Sequence, residues 1–267
     1  MHVNTFDRYE SRHSVIHRLD PRVKVVVTVL FIVANALLPD GAWLAFLAAW
    51  ALLLFVSGAA QIGLGTLLKR SLIVVPFLLA AVTVIFTLPG NALTQWQLGS
   101  WTITPTDAGL LRFVSIVIRS WLSVQMAILL TATTQFPDLI HALHHLRVPN
   151  ILVSVISFMY RYLFELANEA GRLLRARESR SAAPMGPNGR SASGGSLLWR
   201  AKIAGHMVGQ LLLRSFERSD RVYNAMVARG YNGRLLTMNP HEMRPSDWRL
   251  GGLGVVAILL IQLVARL

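Results

Sequence analysis

Three observations predict an all-α fold, a polytopic membrane protein with about five transmembrane helices and two long cytoplasmic helices. The chain of 267 residues is 54% hydrophobic and only 15% charged, against about 25% charged in an ordinary soluble domain. Its mean hydropathy is +0.50, too apolar for a surface that meets water throughout. Its apolar runs are separated by loops whose Lys and Arg residues fall on alternate sides, as the positive-inside rule requires. Together these exclude a soluble globular enzyme.

The elements follow in order. Residues 1–24 form a polar cytoplasmic segment with Arg8, Arg12, Arg18, Arg22 and Lys24. No apolar core precedes a small-residue cleavage site, so no cleavable signal peptide is expected. A four-span region is expected over 25–131. Val25 to Ser57 is one apolar run broken by Pro39-Asp40-Gly41; proline lacks a donor and glycine permits a tight reversal, so the run reads as a hairpin of spans at 25–38 and 42–57. Both are short against the roughly 20 residues that cross a bilayer. Further spans are expected at 72–88 and 110–130, and a C-terminal one within 248–267, at 250–264.

Loop charge gives the orientation. The loop at 39–41 and the loop from Pro89 to Leu111 carry no Lys or Arg and are expected outside, whereas the N-terminal segment, Lys69-Arg70 and the basic region 132–247 are expected inside. Arg112, at the outer edge of the fourth span, is a mild exception. The segment 151–166 is apolar enough to enter a membrane, and a crossing there would break this parity. It runs into Arg161, Glu165, Glu169 and Arg172, a charge ladder on one helical stripe. An interfacial helix that continues into the cytoplasm is therefore expected.

The region 132–247 is the unusual part. Phe136-Pro137-Asp138 suits the first turn of a short helix, and Val148-Pro149-Asn150 breaks it. A long helix follows to about 180. Pro184, Gly186, Pro187, Gly189, Gly194 and Gly195 give 182–195 the composition of a linker. Ser196 suits the N-cap of a second long helix, which runs to about Ala228. Gly230 stands where a left-handed C-terminal residue belongs. This helix is amphipathic, with Val208, Leu211, Leu212, Val222 and Met226 near one spacing and Arg214, Glu217, Arg218 and Arg221 on another face. The two helices end alike, in Ser179-Arg180-Ser181 and Ala228-Arg229-Gly230. Small neighbours leave each guanidinium room to project, and its planar fork suits a carboxylate; a solvated charge at a helix C-terminus is the plainer reading of either one alone.

Ser14-Val-Ile-His17-Arg18-Leu19-Asp20-Pro21-Arg22-Val-Lys24, the run from Arg172 to Ser181, and the run from Arg218 to Tyr231 resemble the T component of energy-coupling factor (ECF) transporters, of the CbiQ type found in cobalt importers. The likeness covers nearly the whole chain. It implies a transmembrane scaffold in the cell (inner) membrane, with a cytoplasmic N-terminus, joining a substrate-binding membrane subunit to two cytoplasmic ATPase subunits. The two coupling helices would cross, and Arg180 and Arg229 would dock into the ATPases. The family often has Ala-Arg-Gly at the first motif where this chain has Ser179-Arg180-Ser181, and Arg177 is a rival register. Cobalt, or nickel, would be cargo chosen by another subunit.

The chain lacks G-x-x-x-x-G-K-[ST], so it is not expected to hydrolyse ATP. No cofactor is implied. Lacking cysteine, it has no thiolate chemistry. The net charge of +13 would suggest nucleic acid in a soluble protein; in a membrane protein it sets topology and meets anionic lipid, and no nucleic-acid partner is expected. His13-x-x-x-His17 and His141-x-x-His144-His145 have metal-ligand spacing and raise a rival from another class, a membrane di-iron oxidising enzyme. His2, His206 and His241 are scattered, and no carboxylate cluster completes a site, so these histidines are read as interfacial polar residues and no metal ligand is assigned. Arg119 is the one charge deep in a span and is a functional candidate. No acid lies within spans one to three or five to pair with it, which leaves a partner subunit, water, backbone carbonyls or snorkelling.

Overall fold

The computed structural model describes residues 9–89, 91, 96–98, 101–103, 106–180, 197–233 and 243–266. The fold is all-α, and the chain divides into two compact units, Met1–Leu146 with Asn239–Leu267, and Arg147–Met238. Four helices among the described residues are long and apolar enough to cross a membrane, namely Leu64–Thr87, Asp107–Thr133, Asn150–Arg180 and Pro245–Val264, with Trp43–Ala59 a shorter apolar one.

In the first unit, Ser14 caps a short helix α1 (Val15–Arg18). Asp20 then caps α2 (Pro21–Ala36), its carboxylate accepting the Arg22 N–H at 2.8 Å. Pro21 suits the first helical position because that N–H would be unpaired in any case. Lys24 is buried, and its ammonium donates to the carbonyls of His17 (3.2 Å) and Thr133 (3.0 Å). It therefore ties α1 and α2 to the end of helix α7 (Asp107–Thr133) rather than facing lipid.

The turn Pro39-Asp40-Gly41 leads into α3 (Trp43–Ala59), with Gly41 at φ +81°. The third apolar segment begins earlier than expected and is not one continuous α-helix. It comprises α4 (Leu64–Ser71), a 3-10 turn (Leu72–Val74), α5 (Val75–Ala81) and α6 (Val84–Thr87). Pro76 supplies no N–H for the preceding turn, which favours the tighter winding there.

Between α6 and α7 lies an antiparallel hairpin of β1 (Trp96–Leu98) and β2 (Trp101–Ile103), in the register Trp96↔Ile103, Gln97↔Thr102 and Leu98↔Trp101. Helix α7 (Asp107–Thr133) is capped by Thr106, whose hydroxyl accepts the Gly109 N–H at 3.2 Å. The short helix α8 (Phe136–His145) and the C-terminal α11 (Pro245–Val264) complete the unit. The core gathers Phe31, Phe46, Leu53, Leu67, Leu122 and Ile258 from α2, α3, α4, α7 and α11.

The second unit holds α9 (Asn150–Arg180) and α10 (Leu197–Ala228). Their lengths match the two long helices expected from sequence. The residues 181–196, containing Ser181, Ser196 and the expected linker 182–195, lie outside the described residues.

Candidate functional site

Helix α9 starts where Arg147, at φ +62°, and Pro149 end the preceding turn. The Leu152 and Val153 N–H groups bond the Pro149 carbonyl. Helix α10 ends in a complete Schellman motif. Gly230, at φ +83°, donates to Val227 (2.9 Å), and Tyr231 donates back to Met226 (3.0 Å). A left-handed residue is required there, and glycine adopts it without steric cost. Met226 and Tyr231, the pair that closes such a motif by apolar contact, both line one cavity of the unit.

The charge ladder of α9 turns out to be half of a clasp. Glu169 accepts from Arg214 of α10 at 2.6 Å and from its own neighbour Arg172, and Arg218 stands 4.0 Å away. Glu165 pairs with Arg218 at 3.7 Å. The higher-numbered glutamate takes the lower-numbered arginine, so the helices run antiparallel where they cross. Beyond this point an apolar cleft of about 430 Å³ opens between Phe158 and Tyr162 of α9 and Val222 and Tyr223 of α10.

The two terminal arginines are not brought together. Arg180 lies eleven residues past Glu169 and Arg229 fifteen past Arg214. In antiparallel helices these run in opposite directions, so the tips are up to ~40 Å apart at 1.5 Å per residue. Ser179, Arg180, Ala228, Arg229 and Gly230 are all exposed. Ser179 donates its hydroxyl back to the Ala176 carbonyl at 2.9 Å. Large apolar side chains on both helices are also uncovered, among them Val155 and Met159 of α9 and Val208, Leu212 and Phe216 of α10.

Arg119 has an acidic partner that a search of the spans alone misses. Its Nη2 donates to Asp40 Oδ1 at 2.6 Å, and Asp40 belongs to the turn between α2 and α3. The guanidinium also sits 5.9 Å from the Phe46 ring centroid. Its backbone carbonyl accepts from Asn35, whose amide donates to Ser123 as well, both at 2.8 Å.

The histidines take structural partners. His141 is buried, and its Nε2 accepts from Arg22 Nη2 at 3.3 Å. His145 donates Nδ1–H to the His141 carbonyl at 3.1 Å. His17 accepts from Ser14 through Nδ1 (2.7 Å) and donates Nε2–H to the Glu10 carbonyl (3.0 Å), which assigns its tautomer. Among the described residues no group of three or more His, Asp or Glu side chains is placed to hold a metal ion.

A family description, CbiQ, cobalt transport protein, matches residues 12–239. The chain belongs to the CbiQ family. That match takes in α1, α2 and both long helices. The chain is also similar to several proteins named energy-coupling factor transporter transmembrane protein EcfT. One, from Acidaminococcus fermentans, is 30% identical over 254 residues, 90% of this chain and 87% of that one. Another, from Staphylococcus aureus, is 26% identical over 253 residues, 91% and 88% of the two chains. A third, from Brevibacillus brevis, is 26% identical over 264 residues, 95% and 94%. A CbiQ-family chain with this set of apolar helices is a multi-pass membrane protein and a transporter component.

Proposed function

We propose that this CbiQ-family chain is the transmembrane scaffold of an ECF-type importer, coupling ATP hydrolysis by two cytoplasmic ATPase subunits to a substrate-binding membrane subunit. The observation that carries this reading is the placement of Arg180 and Arg229 at opposite, exposed ends of one antiparallel helix pair. One tip would dock in each ATPase, its planar fork taking a carboxylate in the groove. The uncovered apolar faces of α9 and α10 leave room for further protein contact.

The mechanism follows from stiffness and separation. ATP binding would draw the two ATPases together and move both grooves. Helices of 31 and 32 residues would carry that displacement toward the membrane and reorient the substrate-binding subunit. The transported ion would be cobalt or nickel. It is cargo, recognised by that other subunit, so metal analysis of the assembled complex decides between them. The N-terminal segment would be cytoplasmic and the whole would sit in the cell membrane.

Removing a docking arginine strands its carboxylate, at a cost of about 3–5 kcal/mol. Arg180→Ala with Arg229→Ala is therefore expected to abolish co-purification with the ATPases and metal uptake, while Arg177→Ala leaves both in place. Normal assembly and uptake in the double variant would refute the docking role. Loss with Arg177→Ala instead would move the first motif to that residue.

A further inference from the structure

A cleft of about 550 Å³ opens on the apolar surface of the first unit, where α2 and the 3-10 turn with α5 flank α7. Its two ends differ in chemistry. Because Lys24 bonds Thr133 at one end and Asp40 bonds Arg119 at the other, α2 and α7 are antiparallel and the levels can be read off the sequence. Ile32 and Val124 line the end nearer Lys24, whereas Arg119 lies nearer Asp40 with Val74, Phe77 and Ile116 beside it. Arg112, two turns along the same stripe of α7, stands 3.9 Å from Asp40 and keeps a side chain 54% exposed. Two guanidinium groups thus share one carboxylate, which leaves a surplus positive charge. The buried Nε of Arg119 has no hydrogen-bond partner among the described residues.

Depth makes this informative. Fourteen residues separate Arg119 from Thr133, ~21 Å of helix at 1.5 Å per residue. With the Thr133 end of α7 taken as one boundary of a hydrocarbon core about 30 Å thick, the guanidinium would lie ~9 Å from the boundary on the Asp40 side. The α2–α3 turn lies at the same level, because the 16 residues of α2 extend only ~24 Å. The α2–α3 turn ends there while α7 runs on to Asp107, and a lipid headgroup beside the turn would be drawn inward to meet the charge.

We propose that this cleft binds one phospholipid of the leaflet on the Asp40 side. Its phosphate would lie on Arg112 and Arg119, and one acyl chain would run from there toward Ile32 and Val124. The cleft opens sideways to hydrocarbon, and its charge lies at the headgroup end. A phospholipid combines an anionic oxygen cluster, which a guanidinium fork matches, with a chain that fills the apolar end. A free anion would gain nothing from the apolar end.

The test uses the full chain, purified in mild detergent, stripped of lipid and titrated with phosphatidylglycerol under native mass spectrometry. The wild type is expected to retain one phosphatidylglycerol and no diacylglycerol, which lacks the phosphate. Inorganic phosphate should not displace the lipid. Arg112→Gln with Arg119→Gln should weaken retention at least about tenfold, a loss of roughly 1.4 kcal/mol. Ala36→Phe, at an exposed position lining the cleft, should do the same by filling the slot while leaving the charges alone, and it decides the matter if the double variant fails to fold. Unchanged retention in Ala36→Phe, or equal retention of diacylglycerol, would overturn the proposal.

Discussion

At the residue scale, side chains that look alike in sequence have different roles. Lys24 belongs to the basic N-terminal run, yet it is buried on two carbonyls. Arg119 looks isolated because its carboxylate is 79 residues away in a turn. That turn reaches Arg119 because the short α2 packs antiparallel on α7, and it is this packing that no local pattern carries. Gly230, by contrast, is legible from sequence, since a left-handed C-terminal residue is a local demand of the backbone. His17 offers a titration test. Burial holds its imidazole below the ordinary histidine value, and the Lys24 and Arg12 charges act the same way, against the opposing effect of Glu10. The folded chain thus prefers neutral His17, and its contribution is fully present above about pH 6.5 and is lost as pH falls through the lower folded value. The Glu10 N–H bonds the Ala132 carbonyl at 3.0 Å, and the Glu10 carboxylate pairs with Arg70 at 3.0 Å. Hydrogen exchange at the Glu10 amide, corrected for intrinsic rate, is expected to accelerate on going from about pH 7.5 to about pH 5. Protection that is flat across that range would remove His17 from this role.

At the scale of elements, the helices were legible and several of their details were not. Apolar runs and proline breaks locate α2, α3, α7, α8 and α11 closely, because those signals act within a few residues. The subdivision of the third segment around Pro76 and the hairpin of β1 and β2 escape a search for apolar runs. A signal for the hairpin existed in the β-forming Trp96-Gln-Leu98 and Trp101-Thr-Ile103 around Gly99-Ser100, a two-residue turn pair. Helix contacts give a matched pair of variants. A Cβ at Gly251 of α11 would sit 2.8 Å from Val23 Cγ1 of α2, whereas one at Gly252 meets nothing within 4 Å. Gly251→Leu is expected to lower stability by about 1–3 kcal/mol through overpacking, and Gly252→Leu to change it by less than about 0.5 kcal/mol. Thermal unfolding in detergent separates them, and equal melting temperatures would contradict the close approach of α11 to α2.

For the whole molecule, the proposed scaffold role requires two long helices to act as one lever. Glu165, Glu169, Arg214 and Arg218 were each visible as surface charges, but their pairing across the crossing was not. If this clasp sets the angle at which Arg180 and Arg229 are held, Glu169→Arg should leave the chain in the membrane and cut uptake severalfold. Adding Arg214→Glu should restore part of it by reversing the pair. Metal uptake in vesicles measures both, and full activity in the single variant would show that the clasp is dispensable. The amino-acid sequence by itself determined the all-α membrane class, the lengths of the two long helices, the glycine cap and the two arginine-tipped ends. Each of those depends on composition, periodicity or backbone conformation within a few residues. Only the tertiary structure decided that Asp40 meets Arg119, that Lys24 is buried, and that the helices cross antiparallel through Glu169. Those contacts join residues tens of positions apart, and chain reversal, not local propensity, determines which of them meet.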